Sequence, residues 1–123
     1  MAVLEKVTFF EALPHIEKAL NGYLWGACQE CLLNQAHCYR LGETYMMLRI
    51  ERDLKELVVV ALQGEMKSGT QAAISHAKQL GLKSIRAHFF RRGAERFICR
   101  QLKEKAQTIA ITSSGEHVVR IIF

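Results

Sequence analysis

The sequence predicts an α/β domain of three layers, a central mixed β-sheet between helices. Three observations carry this. The hydrophobic period switches between two and 3.6 in the order β-α-α-β-β-β-α-β-α-β-β. Leu57-Val-Val-Val-Ala-Leu is an unbroken apolar run of strand length, the mark of a strand buried on both faces. It leads through a loop and a helix to another strand, a crossover unit that demands parallel, right-handed pairing. Short turns elsewhere make the remaining neighbours antiparallel. The whole chain, residues 1–123, reads as a single domain long enough for one core.

The elements follow in order. Val3 to Val7 is a short strand. Thr8 then supplies a hydroxyl cap, with Glu11 three residues on as a capping box requires. Pro14 suits only a helix's first turn, so the helix begins either after Thr8 or at Pro14. Ile16, Ala19 and Leu20 are its apolar positions, and Asn21-Gly22 stops it. Tyr23 to Leu33 is a second helix, with Leu24, Cys28, Cys31 and Leu32 on one face. Cys38 to Leu41 is a weak strand and Thr44 to Glu51 a stronger one, joined by Gly42-Glu43. Arg52-Asp53 turns the chain into Glu56–Gln63, the strongest strand.

Gly64 to Gly69 reads as a loop, and Thr70 as the cap of a helix that runs to Leu80 and closes at Gly81. Ala73, Ile74, Ala77 and Leu80 form its apolar face. Lys83 to Phe90 alternates Ile85, Ala87 and Phe89 with Arg86, His88 and Phe90, as a strand does. Gly93 to Lys105 is a helix with Ala94, Phe97, Ile98 and Leu102 inward. Thr108–Thr112 and Val118–Phe123 form a last hairpin across Ser113-Ser114-Gly115.

Composition narrows the function classes. Half the residues are hydrophobic and about a quarter charged, the globular range. No apolar run approaches the roughly 18 residues of a membrane helix. The amino-terminal segment mixes Glu5 and Lys6 with apolar residues and is unlike a secretory signal. A cytoplasmic location with reduced cysteines is therefore expected. The net charge is +5, and it is local: residues 83–105 hold eight basic side chains against two acidic ones, +6, and the remainder sums to −1. Such a patch suits an anion, whether a phosphorylated cofactor, nucleic acid or an acidic protein, or it is simply a solvated face. Arg92, Arg96, Arg100 and Lys103 recur at helical spacing and are the candidate partner-binding ridge.

Other motifs carry less. Cys28-Gln-Glu-Cys31 with His37 and Cys38 has soft ligands suited to zinc. The cysteines share a face with Leu24 and Leu32, however, and reduced cysteine packs as a small apolar residue; no metal is expected. Gly64-x4-Gly69-Thr70 lacks the lysine of a P-loop. His88 lies beside the expected cleft as a candidate base near neutral pH, or as a histidine satisfied at a sheet edge. The Val-Val-Arg-Ile-Ile-Phe end is an apolar strand that suggests a homodimer if it lies at an edge.

Four stretches together resemble the GNAT-type N-acetyltransferases: Leu57–Gln63, Lys67–Thr70, Ala77–Arg86 and Arg91–Phe97. The last resembles an RRGWERVL segment of small GNAT-like bacteriophage proteins. The resemblance implies a cofactor, acetyl-CoA, whose pyrophosphate lies on free amides at a helix N-terminus. It places that site on Lys67, Ser68, Gly69 and Thr70. The family's loop pattern, Gln/Arg-x-x-Gly-x-Gly/Ala, aligned on Gly69 puts Met66 first and Gln71 last. Its last-helix tyrosine falls on Ile98, and its central-strand glutamate has only Glu56, at the strand's far end. No residue is thereby assigned to catalysis. Two functions stay open: an acyl-CoA-dependent N-acetyltransferase with an atypical site, or a non-catalytic, phage-encoded interaction protein that binds a protein or nucleic acid through the basic ridge.

Overall fold

The fold is described from a computed structural model, for residues 4–89 and 93–123. The elements are β1 (Glu5–Val7), α1 (Phe9–Leu20), α2 (Leu24–Leu32), β2 (Ala36–Leu41), β3 (Thr44–Glu51), β4 (Glu56–Gln63), α3 (Met66–Gln79), β5 (Ser84–Phe89), α4 (Ala94–Gln101), β6 (Lys105–Ile111) and β7 (His117–Ile122). The strands form one sheet in the order β1-β2-β3-β4-β5-β7-β6. β4 and β5 are parallel, as the crossover required; the other pairs are antiparallel.

Two cores lie on opposite faces of the sheet, which makes the three layers. On one face α1 turns Phe9, Ala12, Ile16 and Leu20 inward onto Cys38, Tyr45, Met47 and Ala61, and Ala27 of α2 joins them. On the other face α3 presents Ala73, Ile74 and Ala77, and α4 presents Ala94 and Ile98. They cover Met46, Leu48, Leu57, Ile85, Val119 and Ile121. Each fully buried Ile, Leu or Met contributes about 1.5–3 kcal/mol relative to exposure. Thr8 caps α1, its hydroxyl accepting from the Glu11 amide at 3.1 Å, so the helix starts before Pro14 and carries the proline within it. Asn21 ends it in the left-handed conformation.

The structure corrects several expectations. α3 starts at Met66, four residues ahead of Thr70, because Glu65 supplies the cap. α4 stops at Gln101, where Lys103 adopts a left-handed φ of 54°, and β6 begins at Lys105. Leu32 and Leu80 face outward, each at or beyond a helix end. β7 is not an edge: β5 and β6 pair with its two sides, so its apolar sequence is explained without a second copy. Val3, Phe90, Arg91 and Arg92 lie outside the described residues.

Candidate functional site

The sheet forks at its centre. β4 and β5 pair from Glu56↔Ser84 to Val59↔Ala87 and no further. At that point Met47 faces Ala61 and Leu48 faces Val59, so Val60 is an extra residue in β4. A bulge of this kind bends and twists its strand. Val60–Gln63 thus leaves β5 and stays with β3, while His88 and Phe89 stay with β7. A cavity of about 750 Å³ opens in the fork. It is lined mainly by apolar side chains, several of them from β4, with Met66 and Thr70 of α3 at one wall and Lys18, Asn21, Tyr23, Arg49, Gln63, His88 and Glu116 among its polar groups.

The N-terminus of α3 lies at this cavity, and its amides are partly occupied. The Ser68 amide donates to Glu65 Oε2 at 2.6 Å, and the Gly69 amide to the Glu65 carbonyl at 3.0 Å. The Ser68 hydroxyl and amide, then the Lys67 amide and charge, hold the Glu65 carboxyl below the usual carboxylate range. Lys67 is exposed and Ser68 half-buried, while Gly69 and Thr70 are buried in the helix. A Cβ on Gly69 would lie 3.0 Å from Leu62 Cδ1 and 3.2 Å from Thr44 Cγ2. Gly69 is therefore a packing position between helix and sheet rather than part of a loop. Gly64 makes the turn between β4 and α3, at φ 131° and against the Thr44 backbone. Thr44 Oγ1 accepts from the Glu65 amide at 2.9 Å.

Two polar clusters border the cavity. His88 Nδ1 donates to Glu116 Oε2 at 2.9 Å. Glu116 is held in the β6–β7 turn by paired bonds with Thr112: its amide donates to the Thr112 hydroxyl at 3.0 Å, and its carbonyl accepts from the Thr112 amide at 2.9 Å. Opposite, the Tyr23 hydroxyl donates to Glu30 Oε2, and Arg49 Nη1 donates to Glu30 Oε1 at 2.8 Å. Glu30 is buried. The Tyr23 ring lies over Gly26, where a Cβ would come within 2.2 Å of it. The hydrogen bond to Glu30, then burial, raises the Tyr23 hydroxyl's pKa.

Glu56 sits at the paired end of β4, away from the cavity. It is fully buried and accepts from Ser84 Oγ at 2.7 Å, Arg120 Nε at 2.6 Å and Arg86 Nη1 at 2.9 Å. Burial pushes its carboxyl up, but the bonds from Arg120 and Ser84 and the two arginine charges outweigh this, so it lies low. This removes Arg86 from the free basic residues. Arg96, Arg100 and Lys103 are exposed. Arg96 and Arg100 are a turn apart on α4, whereas Lys103 lies past its end. Cys28 and Cys31 pack against the α1/α2 core beside buried Cys38. Burial pushes the Cys38 thiol up to about 12. Among the described residues no group of three or more His, Cys, Asp or Glu is placed to hold a metal ion.

No family model matches the chain, and no curated protein does. Solved structures do match along its whole length. An acetyltransferase of Bacillus subtilis in complex with CoA is 14% identical with a TM-score of 0.67, covering 100% of this chain and 99% of that one. The IAA acetyltransferase of Bacillus cereus is 12% identical with a TM-score of 0.64, covering 99% of each. The PaiA N-acetyltransferase of Thermoplasma acidophilum, in complex with coenzyme A, is 12% identical with a TM-score of 0.56, covering 100% and 99%.

The chain has the GNAT acetyltransferase fold. Set on that fold, the residues separate clearly. Ile98, the residue on which the sequence resemblance sets the family's tyrosine, is fully buried in the α3/α4 core. Glu56 is locked among arginines at the wrong end of its strand. His88 was legible in the sequence as a cleft residue, but its partner Glu116 was not. Tyr23, Glu30 and Arg49 come from two elements and carry no sequence signal as a group. Glu65 was missed because glutamate is an uncommon cap; the one hint was its place three residues before Ser68.

Proposed function

We propose that the protein is an acyl-CoA-dependent N-acyltransferase with a reduced pyrophosphate site. The fork between β4 and β5 carries this reading. Beyond Val59 and Ala87 the two strands no longer bond each other, so their facing edges offer backbone N–H and C=O groups to an extended ligand. The pantetheine arm of coenzyme A, narrow and bearing two amides, suits that gap as an added strand would. The apolar walls exclude water from a thioester within it. Lys67 and the first turn of α3, with Ser68, Gly69 and Thr70, form the phosphate end. The Glu65 carboxylate competes with a phosphate there for the same amides and for Lys67.

Calorimetry with acetyl-CoA tests this. Binding in the micromolar range is expected, and the Glu65→Ala variant should bind about threefold more tightly, as removal of an anion from a helix N-terminus implies. Absence of binding at millimolar acetyl-CoA in both proteins would refute the reading.

One observation favours a second function. The occupied α3 amides and the buried Ile98 are what a GNAT-fold protein without catalysis would show, and Arg96 and Arg100 remain exposed on α4. In this reading the exposed arginines, with Arg92 and Lys103, bind an acidic protein or nucleic acid. The likeness of Arg91–Phe97 to phage proteins belongs to it. Affinity for such a partner would fall steeply with salt.

A further inference from the structure

We infer that the outward face of α2 is a self-association surface, on which a second copy of this chain packs antiparallel about a two-fold axis at Gln29. The inference stands apart from the acyl-CoA reading and needs no cofactor.

Between Lys18 and Arg40 the only Asp, Glu, Lys or Arg is Glu30. α2 turns that one charge inward: Glu30 is buried and accepts from Tyr23 and Arg49. Leu24, Ala27, Cys28 and Cys31 also pack on the α1 side. Trp25, Gln29, Leu32 and Leu33 remain outward, all exposed. Their spacing of i, i+4, i+7 and i+8 sets them on one stripe about 100° wide, with Gln29 near its middle. Trp25 is 80% exposed, Leu32 70% and Leu33 66%. Single exposed leucines are ordinary, but a contiguous uncharged stripe with a tryptophan marks an interaction surface. Other exposed apolar side chains sit among charges. Leu54 lies between Asp53 and Lys55, and the Phe123 ring has the Lys78 ammonium 5.3 Å from its centre.

The chemistry of the stripe selects a second copy. A two-fold axis at Gln29 lays Trp25 on the second copy's Leu32 and Leu33, and the same contact repeats at the other end. The two Gln29 amides meet at the axis, where each can donate and accept. No like charges meet, because the stripe has none. Charge-poor composition with an aromatic anchor is that of an interface centre. A partner chosen by charge would find nothing to pair with, and a lipid surface calls for Lys or Arg beside the apolar face, which α2 lacks. Two such faces together bury on the order of 1,000 Å², the low end for a specific interface. The dimer is therefore weak, with a Kd in the micromolar range.

Trp25 is the chain's only tryptophan, so its fluorescence reports on this face alone. The experiment combines sedimentation velocity with Trp25 emission and iodide quenching over a dilution series through the micromolar range. The wild type should be dimeric at the top of the series, with blue-shifted emission shielded from iodide, and all three signals should revert together on dilution. Leu32→Glu should weaken the dimer at least about tenfold, with the melting temperature of the dilute protein unchanged because the side chain is exposed in the single chain. Gln29→Glu and Gln29→Lys test the symmetry. Each alone should associate more weakly than the wild type, since like charges meet at the axis, and an equimolar mixture should restore the dimer. A protein monomeric throughout the series overturns the inference. So does a dimer whose Trp25 stays open to iodide, or a pair of charge variants that associate no better mixed than alone. Emission that shifts only when phosphatidylcholine vesicles are added to a monomeric protein overturns it in favour of a lipid surface.

Discussion

Glu56 shows how a single residue can imitate a catalytic one. A glutamate on the central strand of a GNAT-like sequence invites the role of base, and its burial strengthens the invitation. Its partners decide otherwise: Ser84, Arg86 and Arg120 take up its oxygens. Such a carboxylate holds β4, β5 and β7 together. Its folded pKa lies below the ordinary glutamate value, so its contribution is fully present above that value, about 4.3, and is lost as pH falls through the lower, folded pKa. Glu56→Gln strands two arginines and should cost about 3 kcal/mol at neutral pH. Unfolding measured across the acid range should show that loss shrinking toward low pH, where the wild type's own carboxylate is protonated. Equal losses at neutral and acid pH would show that the charge is not what matters.

At the scale of elements, the strands were the most legible part. Thr44–Glu51 and Glu56–Gln63 stand where alternation and the valine run put them. The helix ends were less so, for identifiable reasons. The start of α3 was hidden because Thr70 offered a familiar cap signal and Gly69 a familiar loop signal, whereas Thr70 is buried and Gly69 is needed for close packing. The end of α4 was hidden because a lysine, Lys103, takes the left-handed turn that glycine or asparagine usually marks. Of the proposed phosphate site, the location near a helix N-terminus was readable; the competing Glu65 was not, since its effect depends on geometry. The bulge at Val60 has no sequence signature, and it is what opens the cavity. The β4–α3 junction turns on Gly64, whose added Cβ would lie 2.7 Å from Thr44 Cα. Gly64→Ala should therefore cost about 3 kcal/mol or more, seen as a large fall in melting temperature, whereas alanine at Gly42, with open space around it, meets no clash and should cost only the roughly 1 kcal/mol of a left-handed φ of 60°.

At the scale of the molecule, a sheet that is continuous at one end and forked at the other joins stability to function. The paired end, with Glu56 and its arginines, resists opening. The forked end gives up strand hydrogen bonds to make a cavity, and its walls bring together His88 with Glu116 and Tyr23 with Glu30. The helices divide between the faces: α1 and α2 cover one side of the sheet, α3 and α4 the other, and α4 also exposes Arg96 and Arg100. The central claim is that the fork receives coenzyme A. Amide chemical shifts recorded while coenzyme A is added test it most directly. The account predicts shifts concentrated in Val60–Thr70 and at His88–Phe89. Shifts confined to the outer face of α4 around Arg96 and Arg100, or none at millimolar ligand, would contradict it.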